Sequence, residues 1–318
     1  MLRHSIIALS LLAAGTTGPN TAPPRDTRLI GRWDITITTP DGPRPSWLEI
    51  DQSGNDALVG RFVAIVGSQR PISRIDADSN GFHFAIPPQW EGGPGDLAVE
   101  GRVQDSTHLA GSITFPDGKR FEWTAVRAPA LQRAAAPKWG APRRIFDGKT
   151  LTGWRALGPN QWEAANGVLR SPRSGSNLVT TSSYADFKLH LEFRYPKGSN
   201  SGIYLRGRHE VQVEDDEGSA PLTEHFSGVY GFLAPTRIVA RPLGQWNSYD
   251  ITLVGRMVTV VANGVTVICN REIPGITGGA LDSDEGAPGP LMLQGDHGPI
   301  EYRNIVLTPA APAASATR

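Results

Sequence analysis

The chain runs to 318 residues, with 31 acidic and 31 basic side chains and a formal net charge of zero. That balance provides no field for nucleic acid or an anionic membrane, and the length suits one large or two ordinary domains, each able to bury a core. Glycine (36) and proline (26) are abundant, methionine (3) is scarce, the apolar runs are short and turn-bounded, and no stretch keeps a 3.6-residue period, so an all-β protein is predicted.

The N-terminus begins with Arg3 and His4, followed by an apolar stretch over residues 5–14 that is too short to span a bilayer. Small residues at 13–16 and Pro19, Pro23 and Pro24 complete the pattern of a secretory signal peptide over residues 1–22, so a periplasmic or secreted protein with no membrane span is expected. No cysteine follows the apolar run, which argues against a lipid anchor.

Short strands then follow one another. Residues 29–37 alternate to a Pro-Asp-Gly turn at 40–42, and further strands are predicted at 47–51, 58–66, 82–86, 97–103, 109–115 and 120–126. Asp-Ser-Asn-Gly at 78–81 and Pro-Asp-Gly at 116–118 are turns by residue type. Seven or eight sequential strands over residues 28–128 suit a small antiparallel β-meander that can close into a barrel, and the Gly31-x-Trp33 opening resembles that of lipocalin-type barrels. No catalytic grouping stands out here. Trp47 and Trp90 are candidates for stacking on a sugar, against the more ordinary fate of a core or rim tryptophan.

Residues 129–143 are rich in Ala and Pro without alternation and read as a semi-rigid linker to a second domain at 144–309, with a tail at 310–318. In that domain Phe187, Leu189, Leu191 and Phe193 alternate with Lys188, His190, Glu192 and Arg194. Ile203 and Leu205 alternate with Tyr204 and Arg206, Val211 and Val213 with Glu210, Gln212 and Glu214, and Leu291 and Leu293 with Met292 and Gln294. Each strand therefore has an apolar side and a polar side. If the four share one sheet, the polar side collects groups suited to directional contacts with polyols; an ordinary solvated face is the alternative. Cys269, the single cysteine, has no disulfide partner in the chain and is expected in the core, as is Trp246.

The second domain carries a recognisable series of motifs. Ile-Phe-Asp-Gly-Lys-Thr-Leu-Thr-Gly-Trp at 145–154 is followed by Trp-Glu-Ala-Ala-Asn-Gly-Val-Leu at 162–169, Leu-Val-Thr-Thr at 178–181 and Tyr-Ala-Asp-Phe-Lys-Leu at 184–189. Then come Asn-Ser-Gly-Ile-Tyr-Leu-Arg at 200–206, Glu-Val-Gln-Val-Glu-Asp at 210–215, Gly-Gln-Trp-Asn at 244–247, Leu-Met-Leu-Gln at 291–294 and Tyr-Arg-Asn-Ile at 302–305. Nine pieces in this order resemble the 3-keto-disaccharide hydrolase family. The resemblance implies a concanavalin A-like jelly roll and a sugar substrate oxidised at C3. It also implies a route by C2 proton abstraction, elimination of the C1 substituent and hydration of the enone. Glu192, Glu210, Glu214 and Asp215 leave ordinary two-carboxylate hydrolysis open, and a non-catalytic lectin of the same fold is the alternative function.

On this resemblance Glu210, at the head of Glu-x-Gln-x-x-Asp, is expected to be base or acid, with Arg206 on the same face stabilising the enolate. His297, in a Gly-flanked loop, is a candidate proton shuttle, and His225 lies in a second loop. Gln212, Tyr204, Glu192, Arg194, Asp215 and Gln294 are expected to bind substrate. No paired-cysteine or His-x-x-x-His metal motif occurs, and no cofactor is called for. Asp282, Asp284, Glu285 and Asp296 offer a divalent-cation site, against a solvated lid or rim for the loop at 275–290.

Overall fold

A computed structural model describes residues 27–311. The expected signal peptide and nearly all of the tail lie outside that range. Among the described residues no helix is long and apolar enough to cross a membrane.

Eight antiparallel strands form a closed barrel: β1 (Gly31–Thr39), β2 (Gly42–Ser53), β3 (Ala57–Val63), β4 (Arg70–Ala77), β5 (Phe82–Ile86), β6 (Leu97–Val103), β7 (His108–Thr114) and β8 (Arg120–Arg127). Closure comes from the pairing of β1 with β8, Trp33 opposite Arg127 and Ile37 opposite Trp123. The interior is filled by side chains, among them Trp33, Phe62, Phe82, Phe84 and Trp123, so it is a packed core. Trp33 of the Gly-x-Trp opening donates its indole N–H to the Leu29 carbonyl at 2.9 Å and lies under the Arg127 guanidinium. Strand β4 escapes the alternation rule. Its register against β3 shifts between Leu58 and Gly60, so its buried apolar residues, Ile72 and Ile75, fall three apart.

The segment after the barrel is irregular, and it is laced to the second domain. The Pro129 carbonyl accepts from Arg256 at 2.7 and 3.0 Å, Arg133 grips Asp186 with two bonds at 2.6 and 2.9 Å, and Trp139 bridges to Ala310.

The second domain is a two-sheet antiparallel sandwich. One sheet runs β10 (Trp154–Ala156), β13 (Leu178–Tyr184), β20 (Gly289–Leu293), β15 (Asn200–Leu205), β16 (His209–Glu214). The other runs β11 (Glu163–Ala165), β12 (Val168–Ser171), β21 (Ile300–Pro309), β14 (Phe187–Arg194), β17 (Asn247–Val254), β18 (Met257–Ala262), β19 (Val265–Glu272), with β9 (Arg143–Arg144) paired to β21. The inward residues of both sheets, including Phe187, Leu191, Ile203, Val211, Tyr249 and Leu291, form one core. Two core expectations are corrected. Register shifts between β18 and β19 bury the adjacent Val267 and Ile268, which turns Cys269 out to solvent. Trp246 is half-buried on the outer surface, with the Arg303 and Arg194 guanidinium groups 4.0 and 4.7 Å from its ring.

The barrel docks on the sandwich through the loop at 275–285. Trp47, Val63, Ile276 and Ala280 form a buried cluster with Phe232 against it, Phe232 meeting Trp47 edge-on at 5.3 Å. Contact is flush at Gly278, where an added Cβ would sit 2.2 Å from the Gly67 carbonyl oxygen. Trp47→Ala should therefore cost about 3 kcal/mol of folding free energy in urea denaturation, as for other buried tryptophans, and a loss below about 1 kcal/mol would refute a tight seam.

Candidate functional site

The four polar-sided strands do not share a sheet. Strand β14 belongs to the larger sheet, and its polar side points away from the smaller one: Glu192 accepts from Arg303 (2.6 Å) and Asn304 (2.8 Å), Arg194 pairs with Glu301, and His190 pairs with Asp250. Glu192 and Arg194 are thus surface ion-pair members, and the assignment of both to substrate binding is corrected. Alternation along a strand says which residues share its face; it does not say which sheet that strand joins.

The outer face of β15, β16 and β20 carries the remainder. It opens into a cavity of about 650 Å³ lined by Tyr204, Glu210, Gln212, Glu214 and Gln294 together with the loop residues His297 and His225. Smaller clefts beside Arg170 and Tyr195, and beside Asp76 and His83 on the barrel, hold no comparable convergence of buried polar groups. The edge of β16 is covered by the chain at 227–233. The Tyr230 N–H donates to the Glu210 carbonyl at 3.0 Å and the Ser227 N–H to the Gln212 carbonyl at 3.0 Å, which fixes the strand that carries the central carboxyl.

Glu210 is only 4% exposed. Its backbone N–H donates to Thr277 Oγ1 at 3.0 Å, and Gly202 lies under its carboxyl, where an added Cβ would fall 2.0 Å from Oε1. Tyr204, its cross-strand partner, has one hydroxyl proton and two acceptors within reach: Glu210 Oε2 at 2.9 Å and the Gly278 carbonyl at 3.0 Å. Both contacts are made at once when Glu210 is protonated and donates to the Tyr204 oxygen while Tyr204 donates to Gly278. Electrostatics agree. Burial pushes Glu210 up to about 8, partly opposed by Tyr204 and by the charge of His297.

His297 is held by Asp296, whose Oδ1 lies 2.7 Å from Nδ1; this bond raises the imidazole above its ordinary value and leaves Nε2 for a ligand. His225 Nδ1 bonds the Ala220 carbonyl at 2.7 Å. Gln212 Nε2 donates to Glu214 Oε2 at 3.2 Å, while the buried Oε1 atoms of Gln212 and Gln294 have no partner in the protein. Two orphaned acceptors on the wall of the cavity point to hydroxyl donors of a ligand.

Two other expected site residues lie elsewhere. Arg206 sits in the β15–β16 turn at φ 55°, a left-handed conformation that breaks the strand alternation. Its Nη2 donates to the Gly255 carbonyl at 2.8 Å and lies 3.3 Å from His209 Nε2, and with 1% exposure it faces the interior. Asp215 follows the end of β16 and accepts from the Gly198 N–H at 3.0 Å, outside the cavity lining. The four acids are dispersed: Asp282 pairs with Arg208, Glu285 with Arg256 and Asp296 with His297, while the Asp284 side chain lies exposed. Among the described residues no group of three His, Cys, Asp or Glu converges as metal ligands. The loop that carries Glu285 is the domain seam, not a solvated lid.

Residues missed in the sequence also line the cavity: Asn177, Asn200, Glu224 and Tyr230 from the sandwich, and Val66, Gly67 and Gln89 from the barrel, next to Trp90, one of the two tryptophans offered by residue type for sugar stacking. Asn200 was legible in the parity of β15. The barrel residues had no such signal, because their place depends on how the two domains dock.

Residues 141–308 match the model of the 3-keto-alpha-glucoside-1,2-lyase-like domain. A 3-keto-disaccharide hydrolase from Bacteroides thetaiotaomicron is 33% identical across 34% of this chain and 50% of its own length, so the chain spans about half of that curated relative. Crystal structures of two presumed glycosyl hydrolases from Parabacteroides distasonis align with TM-scores of 0.46 and 0.43 at 26% and 24% identity, covering 55% and 53% of this chain and 92% and 98% of theirs.

Two measurements check the site. Gly202→Ala should displace the Glu210 carboxyl and weaken ligand binding in the cavity with the fold intact by circular dichroism; unchanged binding would remove Glu210 from the centre. The raised Glu210 value means that the native state holds a proton that the unfolded chain releases near 4.5, so its contribution to stability is full below about 4.5 and is lost as pH rises through about 8. Glu210→Gln, which cannot ionise, should gain stability relative to the parent between pH 5 and about 8 in urea titrations, and parallel pH profiles would refute a buried, proton-binding carboxyl.

The matched segment covers more than half of the chain, and the protein belongs to the 3-keto-alpha-glucoside-1,2-lyase-like domain family.

Proposed function

We propose that this protein cleaves glycosides whose sugar is oxidised at C3, with Glu210 as the proton-transfer group. The observation that carries this reading is a carboxyl that is almost fully buried and opens into a cavity beside two unpaired amide oxygens and His297; its burial pushes it up to about 8. A ketone at C3 acidifies the C2 proton, and a carboxylate kept from water is a far stronger base than an exposed one.

In the proposed sequence ionised Glu210 takes the C2 proton, electrons move to the C3 oxygen, and the His297 imidazolium steadies the enolate. The C1–O bond breaks with formation of the C1–C2 double bond, and Glu210 returns its proton to the departing oxygen. Water then adds its hydroxyl group to C1 of the enone and gives its other proton to Glu210, which passes it to C2 as the reformed enolate collapses and is left ionised for the next turnover. The sum is hydrolysis with no external oxidant. The unpaired Oε1 atoms of Gln212 and Gln294 accept sugar hydroxyls. A signal peptide over residues 1–22 would place this activity in the periplasm or outside the cell.

A lectin would use the same two amides, but it has no need of a carboxyl with a shifted titration. The two readings separate when purified protein is incubated with 3-keto-trehalose, 3-keto-lactose and the unoxidised parents while sugar release and transient enone absorbance are followed. Release from the keto forms alone is expected. Because Glu210 must be ionised and His297 protonated, kcat/KM should climb with pH as Glu210 ionises toward about 8 and fall again as the imidazolium, itself raised by Asp296, loses its proton. Glu210→Gln should lower turnover about a hundredfold or more. Saturable binding without cleavage would replace the enzyme by the lectin.

A further inference from the structure

The cavity has two unlike walls. The sandwich side is polar and includes the buried Glu210, whereas the barrel side presents Val66 and Trp90, 46% and 69% exposed, beside Gln89, whose amide is taken up by Ser68. An exposed tryptophan gains little from folding. Yet the backbone around Trp90 is firmly held. Glu91 receives the N–H groups of Gln89 (2.8 Å) and Trp90 (3.2 Å) on one carboxylate oxygen and the Arg70 guanidinium on the other at 2.7 Å. Arg70 also donates to the Pro87 carbonyl at 3.0 Å, and the Gln89 side chain clasps Ser68 through bonds of 2.9 and 2.7 Å. This ion pair is largely buried, at 11% and 5% side-chain exposure. A fixed loop thus holds an uncovered aromatic ring at the lip of a cavity whose deepest reactive group is Glu210.

We infer that the barrel is the second half of the substrate site, with Trp90 forming the subsite for the leaving pyranose of a 3-keto-disaccharide. The inference rests on the proposed reaction. If the oxidised ring lies on the sandwich floor with C2 at Glu210, the ring joined through C1 extends toward the mouth, where its C–H face can stack on the indole while its hydroxyls remain in water. The polar wall then acts on the sugar that is transformed, and the apolar wall selects what is attached to it.

The test is a split between two substrates of one oxidised sugar: a 3-keto-disaccharide and the corresponding methyl 3-keto-glycoside, which lacks the second ring. Trp90→Ala should lower kcat/KM for the disaccharide about tenfold, mainly through KM, and change the methyl glycoside by less than about twofold. Trp90→Phe, which keeps a stacking face, should recover most of the loss. Equal losses on both substrates, or none on either, would overturn the subsite. If the parent protein cleaves neither compound, the proposed reaction fails, and calorimetric titration with unoxidised trehalose and with methyl glucoside still decides the subsite. Trehalose binding that weakens about tenfold in Trp90→Ala, with methyl glucoside unaffected, supports it. Unchanged trehalose binding, or none to the parent protein, refutes it.

Discussion

The loop from Gly275 to Leu281 joins the central carboxyl, its tyrosine partner and the barrel. Thr277 Oγ1 accepts the Glu210 N–H, the Gly278 carbonyl lies within reach of the Tyr204 hydroxyl, and the Gly279 N–H donates to the Ile65 carbonyl of the barrel at 2.9 Å. Ile276 and Ala280 meanwhile fill the apolar seam under Trp47. One short segment therefore sets the backbone of the central carboxyl, the proton inventory of its tyrosine partner and the position of the barrel. Buried groups of this kind tolerate little slack, since a buried carboxyl that loses a hydrogen-bond partner becomes costly and its titration moves.

Beneath the seam lies a second charged layer. Asp34 of the barrel is buried near Glu285 and Arg256, and burial together with the Glu285 charge pushes it up to about 8. Glu285 holds Arg256 through two short contacts, and His209, whose Nε2 lies 3.6 Å from Glu285, is kept neutral by its burial and the surrounding guanidinium groups. Burial raises Glu285 as well, while the Arg256 charge opposes the rise. Such an arrangement rewards one geometry of the two domains and penalises others, because any shift leaves a charge in the interior without its partner.

Strand patterning made much of this molecule legible. The alternation of Phe187 through Phe193 and of Val211 and Val213 marked strands and inward faces, and the parity of Glu210, Gln212 and Tyr204 placed them together. The parity argument failed where the backbone left the strand conformation or the sheet changed. Arg206 follows the alternation on paper, but its positive φ sends it to the Gly255 carbonyl. Glu192 and Arg194 have the right period on the wrong sheet. Cys269 leaves the core because a register shift places two consecutive residues inside. Trp90 was a stacking candidate by residue type alone; its place at the cavity mouth was not legible, since that depends on contacts between segments more than a hundred residues apart.

The seam also separates ancestry from independence. The matched family segment begins at residue 141, after the barrel, so by descent the sandwich is a module of its own. Physically it is not. Without the barrel, Phe232, Ile276 and Ala280 would face water, Glu285 would lose Asp34 from its surroundings, and the Gly279 N–H would lose its acceptor. An excised sandwich would present a sticky apolar patch beside its own reactive centre and would tend to self-associate there. Genes that recombine such modules must carry the joint along with the parts.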